Sequence, residues 1–420
     1  MKTVGIIAEF NPFHNGHKFL IEESKKRTGA DYCIVVMSGD FVQRGAPAIT
    51  DKFTRAKSAL SSGADLVLEL PSYYSLGSAE YFSSGAVSLL NKLGVVDHLC
   101  FGSESDNVDI LSDIADILNN ESDSFKRNIK ENTKNGISYA SARENAVFSE
   151  LSAINPALCD SDKEAEIKKA LTLPNSILAI EYLRALKRSG SKITPVMIKR
   201  IGEDYHSNEL TDYSSATAIR NSIVKDADGR LALPDSAKNT MPDTSFALLN
   251  EKLQNGEYVK EDILNTLLYY KLLQNKDDYT AFLDVNESLS NKIGKNIDKY
   301  ETFEGFCDIL KSKDLSYTRI SRCLMHILLD IKADNMLKYK DDGFTSFIRI
   351  LGQKKSSFPL LAEIGENSEI PVINRLKDAE KLLTSLSMQL FRENLASSQV
   401  YNLLCNSERI SEFSLPPIIM

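Results

Sequence analysis

Two histidines, His14 and His17, stand three residues apart in the run Gly5-Ile-Ile-Ala-Glu-Phe-Asn-Pro-Phe-His-Asn-Gly-His17. At the start of a helix this spacing sends both rings to one side. A helix N-terminus offers unpaired N–H groups and a positive dipole end, which suit phosphate. Two imidazole donors added there would stabilise charge developing at an α-phosphate and on a departing pyrophosphate. Gly16 lets the backbone come close to such a ligand. Half of a metal site is the competing reading, but no third ligand stands at metal spacing. A second group is Tyr213-Ser-Ser-Ala-Thr-Ala-Ile-Arg220. The hydroxyls of Ser214 and Ser215 and the Arg220 guanidinium could grip terminal phosphates; a capped helix with a surface arginine is the plainer alternative. Asp40 and Arg44 follow a strand pattern, and Arg44 could hold a carboxylate or phosphate bidentately. A structural Asp40–Arg44 pair fits as well. Lys18 could reach phosphate or be a solvated helix lysine.

These residues need a frame that brings them together. Thr3–Ala8, Tyr32–Met37, Asp65–Leu70 and His98–Phe101 are short apolar, β-branched runs that suit buried parallel strands. Helix patterns lie between them at 17–28, 51–62 and 78–93, with Asp51 and Ser78 where N-caps belong. Alternation of this kind predicts an α/β, Rossmann-like parallel sheet with right-handed crossovers. Ligands then bind beyond the carboxyl ends of the strands, where the histidine segment lies. From about 105 to 190 the pattern is mostly helical, and Ile193–Ile198 returns as a late strand. Turn residues at Asp226-Ala-Asp-Gly229 and Pro234-Asp-Ser put a boundary near 230–240, giving domains 1–235 and 236–420. Helices are predicted in the second at 245–254, 260–273, 279–284, 303–311, 317–331, 344–351 and 375–405, an all-α domain.

The bulk composition excludes several classes. The chain has 420 residues, 42% hydrophobic and 26% charged, with a net charge of −8. That is the profile of a soluble globular protein of two or three domains. No apolar run approaches a membrane span, and the N-terminus does not read as a signal peptide, so a cytoplasmic location is expected. The cysteines (Cys33, Cys100, Cys159, Cys307, Cys323, Cys405) form no CxxC pair, so neither a zinc site nor a disulfide framework is expected. Cys33 and Cys100 are expected to be buried. The acidic total hides a local reversal: residues 311–355 carry ten Lys/Arg against five Asp/Glu. Arg319 and Arg322 share a helix face there, and Lys354 and Lys355 are read as a nearby loop; the four are candidates for RNA phosphate, with a solvated face as the alternative. His98 reads as structural, His326 as a core or groove residue, and His206 stays open.

His14-Asn-Gly-His17 resembles the HxGH signature of the nucleotidylyltransferase superfamily. The segment ending at Arg220 resembles its Ser/Thr-rich second signature, with Ala216 where many members carry Thr. Five further segments resemble the bacterial tRNA(Met) cytidine acetate ligase family: Ser38-Gly-Asp-Phe-Val-Gln-Arg-Gly45, Gly63-Ala-Asp-Leu-Val-Leu-Glu-Leu-Pro71, Phe101-Gly-Ser-Glu104, Pro174-Asn-Ser-Ile-Leu-Ala-Ile-Glu-Tyr182 and Tyr317-Thr-Arg-Ile-Ser-Arg322. The resemblance covers nearly the whole chain. It implies an enzyme that uses ATP, with Mg²⁺, to turn acetate into acetyl-adenylate and then acetylates N4 of the wobble cytidine of elongator tRNA(Met). It implies ATP contacts from Ile7, Ala8, Glu9, Phe10, Asn11, Pro12, Phe13, His14, Asn15, Gly16, His17, Lys18, Phe19 and Leu20. It implies further ones from Gly102, Asn175, Arg200 and Ile201, with tRNA held by the helical domain. His14, His17, Lys18, Asp40 and Arg220 are the residues expected to carry catalysis. Two other readings fit the same signatures. A small-molecule adenylyltransferase would leave the large helical domain unexplained. A nucleotide-bound RNA-binding protein without turnover would have no reason to keep both histidines and Arg220.

Overall fold

A computed structural model of the protein describes residues 1–105, 107–154, 161–200, 210–405 and 412–420. Five parallel strands form its centre: β1 (Thr3–Ala8), β2 (Tyr32–Ser38), β3 (Leu66–Leu70), β4 (His98–Ser103) and β5 (Thr194–Lys199), in spatial order β3-β2-β1-β4-β5. Alternate residues face opposite ways. Ile6, Val35, Val67 and Cys100 pack on one side beneath Ile21, Ala56 and Leu60. Ile7, Val36, Leu68 and Leu99 pack on the other beneath Phe82, Ala86 and Leu90. Both faces are therefore covered, which is why the strands read as unbroken apolar runs.

The helices that flank these strands begin where the sequence caps them. Helix α1 (Asn15–Thr28) starts after His14 and stops at Gly29, whose φ of +64° gives a left-handed C-cap. Asp51 accepts from the Thr54 N–H at the head of α2 (Lys52–Ser61), and Ser78 from the Tyr81 N–H at the head of α3 (Ala79–Lys92). Helix α4 (Pro174–Arg188) leads into β5, and the short α5 (Ala216–Asn221) carries Arg220.

The C-terminal region is mainly helical, as expected, but it also returns to the sheet. The segment 344–351, read from sequence as helix, overlaps strand β6 (Ile348–Gln353), antiparallel to β3, with the two-residue strands Val372–Ile373 and Ile418–Ile419 beside it. A short apolar run buried on both faces has no periodicity that separates strand from helix. The helix read at 279–284 is a turn closed by Asp284 at φ +63°. Helices at Glu287–Asn296, Ala333–Asp341 and Phe358–Asn367 were not anticipated. The long run 375–405 breaks into short turns before Ser385–Leu404. Helix α6 (Tyr317–Leu328) presses against a hairpin at Phe41–Pro47: Ser321 Oγ donates to Gly45 O at 2.6 Å. His326 on α6 is a core residue, with Nδ1 2.8 Å from Leu283 O and Nε2 3.0 Å from Leu76 O. Cys33, Cys100, Cys307, Cys323 and Cys405 are buried free thiols; Cys159 lies outside the described residues.

Candidate active site

A cavity of about 680 Å³ opens at the carboxyl ends of β1, β4 and β5, lined by both histidines. His14 is the N-cap of α1. Its Nδ1 accepts from the Gly16 N–H at 3.1 Å, and its own N–H donates to His17 Nδ1 at 3.2 Å. A backbone donor on each Nδ1 leaves the ring proton on Nε2. Both rings thus carry an Nε2–H donor on the side away from the backbone. They lie 3.7 Å apart, tilted by 30°, with His17 edge-on to Phe10. Burial, with Arg200 and Arg220 beyond, holds the His14 pKa down at about 3, and burial with His14 beside it keeps His17 well below its ordinary value. Both are neutral donors. Gly16 has a reason in this arrangement: a Cβ there would press to 3.0 Å from His14 Cε1. Phe10, at φ +51°, takes a left-handed bend as the chain leaves β1.

Cationic groups converge on the same space. Arg220 donates to Asn11 O, and to Thr217 Oγ1 at 3.1 Å, so it is anchored to the histidine loop and to its own helix. Burial and the neighbouring Arg44 pull its pKa down to about 10. Arg200 donates to Asn175 Oδ1 at 3.2 Å, and Arg44 and Arg322 line the cavity too. Glu9 faces this set; its Oε1 accepts from the Gln43 N–H at 2.7 Å, and burial raises its pKa against the pull of that bond and of Arg44, Arg220 and Arg55. Asn175 is held in turn by Glu104, whose Oε1 accepts from Asn175 Nδ2 at 2.5 Å while Oε2 accepts from the Ser176 N–H at 2.8 Å. Gly102 lines the cavity where a Cβ would stand 3.2 Å from Arg200 Cγ.

The structure brings together most of the residues singled out from sequence. Ile7, Ala8, Glu9, Phe10, Asn11, His14, Gly16, His17, Phe19, Leu20, Gly102, Asn175, Arg200, Ser215 and Arg220 all line the cavity. The rest lie elsewhere. Phe13 packs in the core and Pro12 is buried; the Asn11–Pro12 bond is cis. Asn15 ties the loop down by donating to Asp212 O at 2.9 Å and Asn239 O at 2.7 Å. Lys18 is exposed and 3.8 Å from Glu22, the solvated-lysine reading. The Ser214 hydroxyl bonds the Thr211 backbone. Ile201 and His206 lie outside the described residues. His98 sits at the amino end of β4, away from the cavity.

Asp40 is not in the cavity and does not take Arg44 as its partner. It accepts from the Lys52 N–H at 2.9 Å, and its Oδ2 is 3.6 Å from Lys52 Nζ. Lys52 Nζ also meets Glu69 Oε1 at 2.8 Å, Glu412 Oε1 at 3.0 Å and Ser398 Oγ at 2.7 Å. Arg349 closes the group, 2.7 Å from Glu69 and 2.5 Å from Glu412. Burial raises the Asp40 pKa against the pull of Lys52; in Glu412, Lys52 and Arg349 overcome burial and pull the pKa down to about 2. Asp40 therefore belongs to a buried ionic cluster that joins the sheet to the C-terminal region.

The four basic candidates for RNA do not form one patch. Arg319 and Arg322 are on α6, and Arg322 lines the cavity. Lys354 follows β6 at the opposite end of the sheet, 3.7 Å from Asp65, and Lys355 is next to it, so their loop is not near α6. The antiparallel entry of β6 causes this, because it carries the chain away from the carboxyl ends of the parallel strands.

Sequence reasoning missed some site residues and misplaced others. Arg55, fully buried, donates to Glu9 O at 2.7 Å, Ser38 O at 3.1 Å, Thr50 O at 3.0 Å and Gly39 O, and so braces the ends of β1 and β2. Nothing local marks such a residue. Ala79, Phe82 and Tyr182 form an apolar stretch of wall, and Glu104 stood in a quoted motif without a role.

The sequence pattern of the HIGH Nucleotidyl Transferase family matches residues 1–414. A Clostridium perfringens tRNA(Met) cytidine acetate ligase is 37% identical over the whole of both chains. One from Acetivibrio thermocellus is 40% identical over 90% of this chain and 89% of its own. This chain belongs to the tRNA(Met) cytidine acetate ligase family. The crystal structure of Thermotoga maritima TmcAL bound with alpha-thio ATP superposes with a TM-score of 0.89 at 29% identity, covering 100% of this chain and 99% of that one. The two chains thus share one architecture over their whole length.

Proposed function

We propose that the protein is an ATP-dependent acetate ligase that forms acetyl-adenylate and transfers the acetyl group to N4 of the wobble cytidine of elongator tRNA(Met). The observation that carries this reading is the convergence of two neutral imidazole donors and the arginines 44, 200, 220 and 322 on one cavity at the strand ends, in a chain whose relatives are named for that reaction over their full length. ATP would lie with its phosphates on the Nε2–H donors of His14 and His17, Ser215 and Arg220, and its adenosine towards Gly102, Asn175 and Arg200. An acetate oxygen attacks the α-phosphorus in line, and the bond to the leaving pyrophosphate breaks. The neutral imidazoles need not gain or lose a proton at this step; they hold the phosphates in place and spread developing charge. Magnesium would come bound to the phosphates, since Glu9 is the one carboxylate lining the cavity among the described residues, and would neutralise the leaving group. The cytidine amine then attacks the acetyl carbon, AMP leaves and one proton is released.

RNA supplies its base from a single-stranded loop, which can splay a nucleotide into a cavity. We place tRNA on the helical side, residues 236–420, and ATP chemistry in 1–235. Arg319 and Arg322 lie where RNA would cross to the cavity, while Lys354 and Lys355 would meet only RNA that wraps to the far end of the sheet. Among the described residues no helix is long and apolar enough to cross a membrane, which is compatible with work in the cytoplasm. Acetate-dependent exchange of pyrophosphate into ATP, followed by acetylation of tRNA(Met) read by mass spectrometry, tests the reading. Exchange that ignores acetate, or acetate activation with no transfer to tRNA, would refute it.

A further inference from the structure

The cavity straddles β1. Gly102 near the end of β4 and Arg200 just after β5, the adenosine-side residues, lie on one side. Gln43 and Arg44 follow β2 on the other, with Ala79 and Phe82 from α3 beyond β3. One further cation reaches this second half, and it comes from the C-terminal region: Arg322 of α6. Its place is set at three points. Gly45, at φ +80°, lets the α6 backbone come so near that a Cβ would strike the Ser321–Arg322 peptide. Ser321 binds Gly45 O. One turn on, His326 binds Leu76 O, just ahead of α3. Arg322 is thereby wedged between the turn that bears Arg44 and the head of α3.

What Arg322 lacks is a partner. Its Nε is sealed from solvent with no hydrogen-bond acceptor, and among the described residues its guanidinium makes no ion pair. Asp284 stands near enough to favour its charge without pairing. A guanidinium nitrogen sealed in without an acceptor is costly to the fold. Such a group is retained where an anion arrives to fill it.

We propose that Arg322 binds the carboxylate substrate, pairing through its planar fork with the acetate oxygen that does not attack, while Ala79 and Phe82 wall the methyl group. This rests on the acetate-activating reading above. A small carboxylate fits better than an RNA backbone phosphate, because Arg322 lines the enclosed cavity that Ala79 and Phe82 also wall. The chemistry balances without another reagent. One carboxylate oxygen bonds to the α-phosphorus, and pyrophosphate leaves with the electron pair of the broken P–O bond. The other oxygen stays on Arg322 and becomes the acyl carbonyl. When the cytidine amine adds to that carbon, negative charge gathers on this same oxygen. Arg322 then stabilises it until the C–O bond to AMP breaks and the nitrogen sheds a proton to water. One arginine serves both half-reactions.

The test measures acetate-dependent pyrophosphate exchange in the full-length protein, without tRNA. Arg322→Gln should raise KM for acetate about 10- to 100-fold, the loss expected for a charge-assisted hydrogen-bonded pair, with KM for ATP little changed. Arg322→Lys should recover part of that loss. Phe82→Leu, which frees about one methylene of space, should raise the preference for propionate over acetate about 10-fold. It keeps the test alive if an Arg322 variant fails to fold. Unchanged KM for acetate in folded Arg322→Gln, or unchanged acyl preference in Phe82→Leu, overturns the inference. A raised KM for tRNA with normal acetate use would give Arg322 to RNA phosphate instead, and overturns it too. If wild-type protein shows no acetate-dependent exchange, the functional reading falls first, an outcome distinct from these.

Discussion

Two groups of charged side chains, one lining the cavity and one buried around Lys52 between the sheet and the C-terminal region, are built on opposite plans. In the buried cluster, Lys52 and Arg349 are closed in by Asp40, Glu69 and Glu412, every charge facing an opposite one within 4 Å. The cavity is lined by His14, His17, Arg220 and Arg322, and among the described residues Glu9 is the one carboxylate in its wall. A closed set of charges fastens chain to chain. A set left short of acceptors costs the fold something and is sensible only where a ligand completes it. On this distinction Asp40 stands in the closed set and the two histidines in the open one.

The largest effect should come from opening the closed set. Lys52→Met leaves three carboxylates buried against one arginine and should destabilise the protein by about 3–5 kcal/mol, seen as a lower urea midpoint; a change below about 1 kcal/mol would mean water already enters the cluster. Emptying the open set should do the reverse. His14→Ala and His17→Ala should each slow acetate-dependent pyrophosphate exchange by about 10²–10³ while leaving the urea midpoint near wild type. Near-normal exchange in either variant would remove that histidine from the phosphate site. Arg220→Ala should weaken ATP about 10- to 100-fold and leave tRNA binding intact, so a variant that loses tRNA and keeps ATP would reverse the assignment.

The pH dependence sharpens the same contrast. The native His14 ring resists protonation down to about pH 3, whereas an unfolded histidine takes its proton near 6.5. The unfolded state alone gains protons as pH falls below 6.5, so stability is lost from there down towards 3. By pH 5 the loss assigned to His14 is about 2 kcal/mol, and His14→Gln should lack it in paired urea melts at pH 7 and pH 5. Equal losses in both proteins would show that His14 is not held neutral. The smallest effects concern RNA. Arg319→Glu should weaken tRNA binding several-fold and flatten its salt dependence, whereas Lys355→Glu should change it by less than about twofold; equal losses would mean that tRNA also covers the far end of the sheet.

What was legible in the sequence was local. The strands β1 to β5, their caps at Asp51 and Ser78, and the histidine pair follow from patterns a few residues long. So does the Ser215–Arg220 segment. What was not legible depends on partners far along the chain. Arg349 in a short apolar run gave no sign of strand β6, because its reason for being there is Glu69 and Glu412, 280 and 63 positions away. Asp40 and Lys52 are twelve apart and read as unrelated until they meet. Arg322 was seen as half of a surface pair, since its neighbours Gly45 and Leu76 lie hundreds of residues upstream. Lys354 was grouped with it by proximity in sequence, which β6 undoes.

The return of β6 also has a bearing on when this protein comes to life during synthesis. A chain still on the ribosome with residues 1–235 exposed has made both histidines and Arg220. It has not yet made Arg349 or Glu412, the counter-ions that settle Lys52, Asp40 and Glu69, nor the helix that braces the Arg44 turn. Strand β3 would then stand at the edge of the sheet with Glu69 unpaired by Arg349. The order of translation therefore leaves Lys52, Asp40 and Glu69 without their C-terminal counter-ions until the last residues are made.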